Sequence, residues 1–232
     1  MARQGSPDRR VARRANPAFV VAIDGPAASG KGTLARALAR RFTLAYLDTG
    51  RLYRAAALLV LDAGGDPADP KAAAAAARQV SVRLLEEPRL REERVGAAAS
   101  VVAAIPEVRR ALLAFQRDFA RQPPPPFTGA VLDGRDIGTV VCPDASLKLF
   151  LTASLEERAR RRLLELREKG LPAIYEEVLA DLKERDLRDS MRRAAPLAAA
   201  SDAVILDTTA LDAEEVFERA SRRVARALSS PR

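Results

Sequence analysis

Three clusters in this 232-residue chain have the residue types and spacing for phosphate chemistry. The first, Gly25-Pro26-Ala27-Ala28-Ser29-Gly30-Lys31-Gly32-Thr33, lies between an apolar run (19–23) and an amphipathic stretch (34–42). Gly25 and Gly30 permit a positive-φ backbone, so successive N–H groups can converge on a polyphosphate at the positive end of the helix that follows. Lys31 would reach the outer phosphates, and the Thr33 hydroxyl would face phosphate or magnesium. The second cluster, Asp133-Gly134-Arg135-Asp136, follows an apolar run, where Asp133 could organise magnesium indirectly. The third, Glu184-Arg185-Asp186-Leu187-Arg188-Asp189, continues to Arg192. At about 100° per residue, Arg185, Arg188, Asp189 and Arg192 share one third of a helix circumference. Guanidinium groups crowded on one face repel each other unless an anion joins them, which reads as a phosphate clamp rather than a solvated ion-pair face.

The elements that must position these clusters alternate along the chain. Apolar runs at 19–23, 44–47, 127–132, 147–152 and 203–206 read as strands. Between them, 32–42, 52–63, 95–105, 106–120, a stretch ending near 168 and 174–191 read as helices, with Ser154 and Glu157 forming a capping box. Asp212 and Glu215 cap a last helix. The expected fold is α/β, a five-stranded parallel sheet flanked by helices. Ligands gather at the carboxyl ends of such strands, so Asp48-Thr49-Gly50 and the 133–136 turn become site candidates. Between 63 and 127, residues 72–77 read as a surface alanine helix, 80–85 as a short strand and 123–126 as a stiff polyproline connector.

Composition narrows the choices. The chain has no histidine, which excludes Ser-His and Cys-His nucleophile pairs and imidazole metal sites. Its one cysteine, Cys142, reads as a small buried thiol. The net charge of +8 would suit nucleic acid, yet much of it sits in the first residues, where Arg3, Arg9, Arg10, Arg13 and Arg14 face a single acid, Asp8. Residues 1–18 therefore read as a disordered basic leader and 19–232 as one domain. Aromatic residues are dispersed rather than interleaved with arginines, so no nucleic-acid partner is expected. With no membrane-length apolar run and no secretory segment, the expected location is the cytoplasm and the expected state a monomer.

Taken together, the motifs identify a family resemblance. Ile-Asp-Gly-Pro-Ala-Ala-Ser-Gly-Lys-Gly-Thr (23–33), Leu-Asp-Thr-Gly (47–50) with Tyr53-Arg54, Ser100 with Arg109, Asp-Gly-Arg-Asp-Ile-Gly-Thr-Val-Val (133–141) and Glu-Arg-Asp-x-Arg-Asp (184–189) resemble the bacterial cytidylate kinases, P-loop kinases of nucleoside monophosphates. The resemblance implies ATP-dependent phosphorylation of CMP, and of dCMP, with Mg²⁺ as cofactor; a P-loop kinase of UMP or another small acceptor is the alternative. It also implies a monophosphate-binding segment at about 48–120 and a mobile lid at about 154–172. Ser100, Arg109 and Asp136 would read cytosine, and Thr49, Arg54, Arg135 and Arg192 would hold the acceptor phosphate. Asp189 would bind the sugar hydroxyl, Arg185 the transferring phosphoryl group, and Arg158 of the lid the donor phosphates held by 25–33. Lys31, Arg135, Arg185 and Arg192 would be catalytic. The interval between Val82 and Ser100 is shorter than the family pattern, which has a β-hairpin there, and this would leave a more open cradle around the base. Deleting residues 1–17 should leave turnover at the parental rate in an ATP-coupled assay, whereas loss of activity would show that the leader takes part in function.

Overall fold

A computed structural model describes residues 18–192 and 195–229, so the expected leader, apart from Ala18, lies outside the described residues. Its strands are β1 (Phe19–Asp24), β2 (Ala45–Asp48), β3 (Gly129–Gly134), β4 (Leu147–Thr152) and β5 (Val204–Asp207). Its helices are α1 (Lys31–Arg41), α2 (Thr49–Asp62), α3 (Pro70–Arg78), α4 (Glu93–Val102), α5 (Pro106–Arg121), α6 (Leu155–Glu168), α7 (Tyr175–Ser190) and α8 (Ala213–Ser229). All strand pairings are parallel, in the order β2-β3-β1-β4-β5. Five parallel strands flanked by helices are the architecture the alternating pattern predicts.

The central strand β1 is buried along its whole length, so its sequence gives a continuous apolar run instead of alternation. Alternation reappears in what its side chains touch. Val20 and Ala22 join the core formed with α2, α3, α4 and α5, whereas Phe19, Val21 and Ile23 join the core formed with α1 and α8. Two apolar layers thus clamp the sheet and hold its strands in register: Phe19 faces Gly129, and Asp24 faces Gly134. Both clusters that end in charge, 24–33 and 133–136, leave the same edge of the sheet side by side.

Several local expectations are corrected. Residues 80–85 form no strand; Val82–Glu86 and Pro88–Arg91 are short 3₁₀ turns. Alternation over so few residues, with no neighbouring strand to pair with, leaves the backbone free to bond locally. The alanine helix is no surface decoration, because Ala73, Ala74, Ala76 and Ala77 are all buried. Small side chains let α3 lie close on its neighbours. The polyproline stretch closes as a turn, with the Phe127 N–H donating to the Pro124 carbonyl at 3.1 Å. The strand expected at 127–132 begins two residues later and runs through Asp133 and Gly134. Cys142 is buried as expected, and burial pushes its thiol up to about 11.

Asp24 joins the two clusters. Its carboxylate accepts from the Ile137 and Gly138 N–H groups, each at 2.7 Å, and pins the single π-helical turn Ile137–Val141 against the end of β1. Burial lifts this carboxyl to about 6 against the opposing pull of the two N–H donors, so it is mostly ionised at neutral pH. Asp24→Asn would set an amide NH₂ against one of those N–H groups. Chemical denaturation at pH 7 should then show a loss of about 1–3 kcal/mol, the cost of a buried unsatisfied donor.

Candidate active site

The glycine loop earns its residues by geometry. Gly25 has φ +153°, and a Cβ there would lie 2.2 Å from the Leu151 carbonyl oxygen, so no side chain fits between loop and β4. Gly30, at φ +85°, turns the chain into α1, which starts at Lys31. Lys31 bends back so that its ammonium donates to the Pro26 carbonyl at 3.2 Å. The Ser29 hydroxyl is buried in the loop with no hydrogen-bond partner among the described residues, which is the condition expected of a group that awaits a phosphate oxygen.

One side of the loop opens on a cleft of about 300 Å³. Ala27, Ala28, Lys31 and Gly32 line it together with Thr49, Arg54, Arg135, Arg185, Asp189 and Arg192. Seven cationic side chains face five carboxylates around this space. The balance has consequences for each group. Burial first, then Arg135, Arg54 and Arg162, lowers the Arg185 guanidinium to about 10. Burial, then Arg109 and Arg135, lowers Arg192 to about 10 as well. Burial also lowers Lys31, Arg54 and Arg135, and it raises Asp133, whose near neighbour Asp48 adds to the rise. The cleft therefore holds positive charge at a cost that an incoming anion would relieve.

Carboxylates space the cations. Asp189 accepts from Arg135 Nε at 2.8 Å and is also bonded to Arg192, so one acid orients two arginines from different elements. Asp133 accepts from the Tyr46 hydroxyl at 2.9 Å, and its backbone carbonyl accepts from the Thr49 hydroxyl at 2.7 Å. Arg54 donates to the Leu90 carbonyl at 2.9 Å, which ties the 82–100 interval to α2.

Deeper in the cleft stand Ser100, Arg109 and Asp136, the three residues that the resemblance assigns to cytosine. All three are buried. Arg109 pairs with Asp136 and lies over the Tyr53 ring, 5.5 Å from its centroid. A carboxylate, a guanidinium and a hydroxyl on one wall form a donor and acceptor array suited to a base edge.

Other assignments fall elsewhere. Arg158 does not line the cleft: it donates to the Ala153 and Ala27 carbonyls at 3.1 and 3.3 Å and pairs with Asp186 at 2.6 Å. It braces the loop from behind. Arg188 leaves the expected clamp and donates to Ser100 Oγ at 2.6 Å. Thr33, Ser29 and Gly30 line a second cavity of about 380 Å³ with Arg161, Thr208 and Phe217. Sequence reasoning missed Asp24 and Arg162, and it placed Asp48 and Tyr53 in motifs without giving either a role. Asp24 carried a readable signal, since a charge that closes a fully apolar strand before a glycine loop must have a partner. Arg162 carried none, being one of five arginines in its helix region, yet it bridges Glu93 on α4 at 2.6 Å and Glu165 at 2.7 Å.

Among the described residues, no three His, Cys, Asp or Glu side chains converge as a metal cage. Asp48 and Asp133 are register partners at the ends of β2 and β3. Two carboxylates beside a phosphate site, rather than a closed cage, fit Mg²⁺, which binds through one or two carboxylates plus substrate phosphates and water.

Known proteins resemble this chain over most of its length. Residues 21–226 match the family model described as Cytidylate kinase. A Rhodospirillum rubrum protein named cytidylate kinase is 58% identical over 202 residues, 87% of this chain and 95% of the relative. One from Methylobacterium sp. is 61% identical over 185 residues, 80% of this chain and 86% of its own. An uncharacterised Eubacterium ventriosum protein of known structure, 12% identical with a TM-score of 0.50, covers 92% of this chain and 99% of its own, a likeness of fold alone.

Proposed function

The chain belongs to the cytidylate kinase family, and from that premise we propose how its cleft carries ATP-dependent phosphorylation of CMP. The observation that carries the reading is the convergence of Lys31, Arg54, Arg135, Arg185 and Arg192 on one cleft, with Ser100, Arg109 and Asp136 beside them. Two nucleotides meet there phosphate to phosphate.

The base edge is read first. Cytosine offers an amino donor at C4 and acceptors at N3 and O2; Asp136 accepts from the amino group, while Arg109 and Ser100 supply donors. Uracil turns a carbonyl toward the carboxylate and an N–H toward a donor, so the same wall repels it. Neither Asp136 nor Arg109 needs the ribose 2′-hydroxyl, and dCMP is an acceptor too. The acceptor phosphate lies among Arg54, Arg135 and Arg192, with Thr49 at its edge and Asp189 reaching the sugar. ATP drapes over the 25–33 loop, with its triphosphate on Lys31 and the loop N–H groups. Its adenosine faces the second cavity, by Arg161, Thr208 and Phe217.

The attacking oxygen already belongs to an anionic phosphate, so no strong general base is needed. Lys31 and Arg185 flank the transferring phosphoryl group and offset charge on its equatorial oxygens. Asp48 and Asp133 would hold Mg²⁺ beside the phosphates, whereas Thr33, which lines the second cavity, would face the donor phosphates instead; when bound, the ion would supply neutralisation of phosphate charge. Helix α6 forms the mobile part, the lid at about 154–172. Its closure brings Arg162 over the cleft to Glu93 and excludes water that would otherwise hydrolyse ATP. No helix among the described residues is long and apolar enough to cross a membrane.

A coupled assay of ADP release with CMP, dCMP, UMP and AMP should give high kcat/KM for CMP and dCMP and at least a roughly tenfold lower value for UMP. Equal use of UMP or AMP would refute the base assignment. Lys31→Ala should lower kcat by about 10²–10³, the scale of one lost transition-state charge contact.

A further inference from the structure

Arg185 and Arg192 line the cleft, but Arg188, which the helical pattern puts on the same face of α7, does not. Its Nη1 donates to Ser100 Oγ on α4 at 2.6 Å, while its Nη2 pairs with Glu184 one turn back. The Arg188 side chain is 28% exposed and lies outside the cleft, whereas Ser100 is buried within it.

A serine hydroxyl is ambivalent. It carries one proton to donate and two lone pairs to accept with, and it rotates to suit its partner. Left alone in the cleft, Ser100 could donate to the N3 acceptor of cytosine or turn and accept from the N3–H of uracil, and would discriminate little between them. A guanidinium at 2.6 Å removes that freedom. It occupies one lone pair with a charge-assisted bond, and its positive field disfavours a second donor approaching the same oxygen. Among the described residues the Ser100 proton meets no acceptor, so it remains available to the cleft.

We infer that Arg188 is a positioning residue that fixes Ser100 as a hydrogen-bond donor toward the base and so sets the preference for a cytosine over a uracil monophosphate. The bond also ties base reading to phosphate binding, because α7 carries Arg185, Asp189 and Arg192 as well. Glu184 holds the guanidinium from its outer side and keeps it aimed at α4. The inference rests on Ser100 reading the base, which is part of the function proposed above.

A mutant cycle separates the two claims. Arg188→Ala should reduce the ratio of kcat/KM for CMP over UMP roughly tenfold, the scale of one charge-assisted hydrogen bond lost. KM for ATP should not move. Arg188→Lys, which can still donate to the hydroxyl, should restore most of the ratio. In a Ser100→Ala background, Arg188→Ala should change the ratio no further. If Ser100→Ala leaves the CMP-to-UMP ratio at the parental value, Ser100 does not read the base and both claims fall. If Ser100→Ala lowers the ratio but Arg188→Ala does not, the base reading stands and the role of Arg188 is overturned. An Arg188→Ala variant that loses CMP and UMP activity equally, with a lower melting temperature, would make Arg188 only a strut between α4 and α7, which also overturns the inference.

Discussion

The structure depends on confining positive charge that water would rather solvate. Arg185 and Arg192, both lowered to about 10, and Lys31, Arg54 and Arg135, all lowered by burial, share one cleft. In the free protein each guanidinium disfavours its neighbours, and the carboxylates of Asp189, Asp133 and Asp136 only partly offset this. On the function proposed, phosphate groups complete the balance, and the cleft would be complementary to the crowded anions of phosphoryl transfer more than to either nucleotide alone.

That arrangement constrains the scaffold. Cations that repel must be anchored by something other than mutual attraction, so each is tied to a rigid element. Arg135 leaves the end of β3 and is steered by Asp189 of α7, and Arg54 is held by backbone carbonyls of the 88–92 stretch. Asp24 fastens the turn after Asp136 to the end of the central strand, so the glycine loop and the 133–136 turn share one anchor. The sheet that carries these groups is packed between two apolar cores, which resist deformation.

Much of this was legible in the sequence because local rules and global fold agree. The glycine loop, the strand before it and the helix after it sit where periodicity places them, and β4 matches its predicted bounds, 147–152. What failed depended on partners that a linear reading cannot see. Residues 80–85 alternate like a strand but find no edge to pair with, and the buried face of α3 is hidden by its uniform alanines. Helical spacing grouped Arg188 with Arg185 and Arg192, since angular position says which face a residue shares but not whether Ser100 stands opposite. Likewise, nothing marks Arg158 as a brace beneath the loop or Arg162 as the arginine that reaches Glu93, because both lie in a run where every neighbour is similar.

The central claim is that cations in the cleft exist to bring two phosphate chains together. It is tested most directly by the shift in melting temperature caused by adenosine and cytidine joined 5′ to 5′ through five phosphates. The parent protein should be stabilised far more by this compound than by saturating ATP or CMP, and Arg185→Met should lose most of the difference. An equal shift in the parent and in Arg185→Met, or no gain over ATP alone, would contradict the claim.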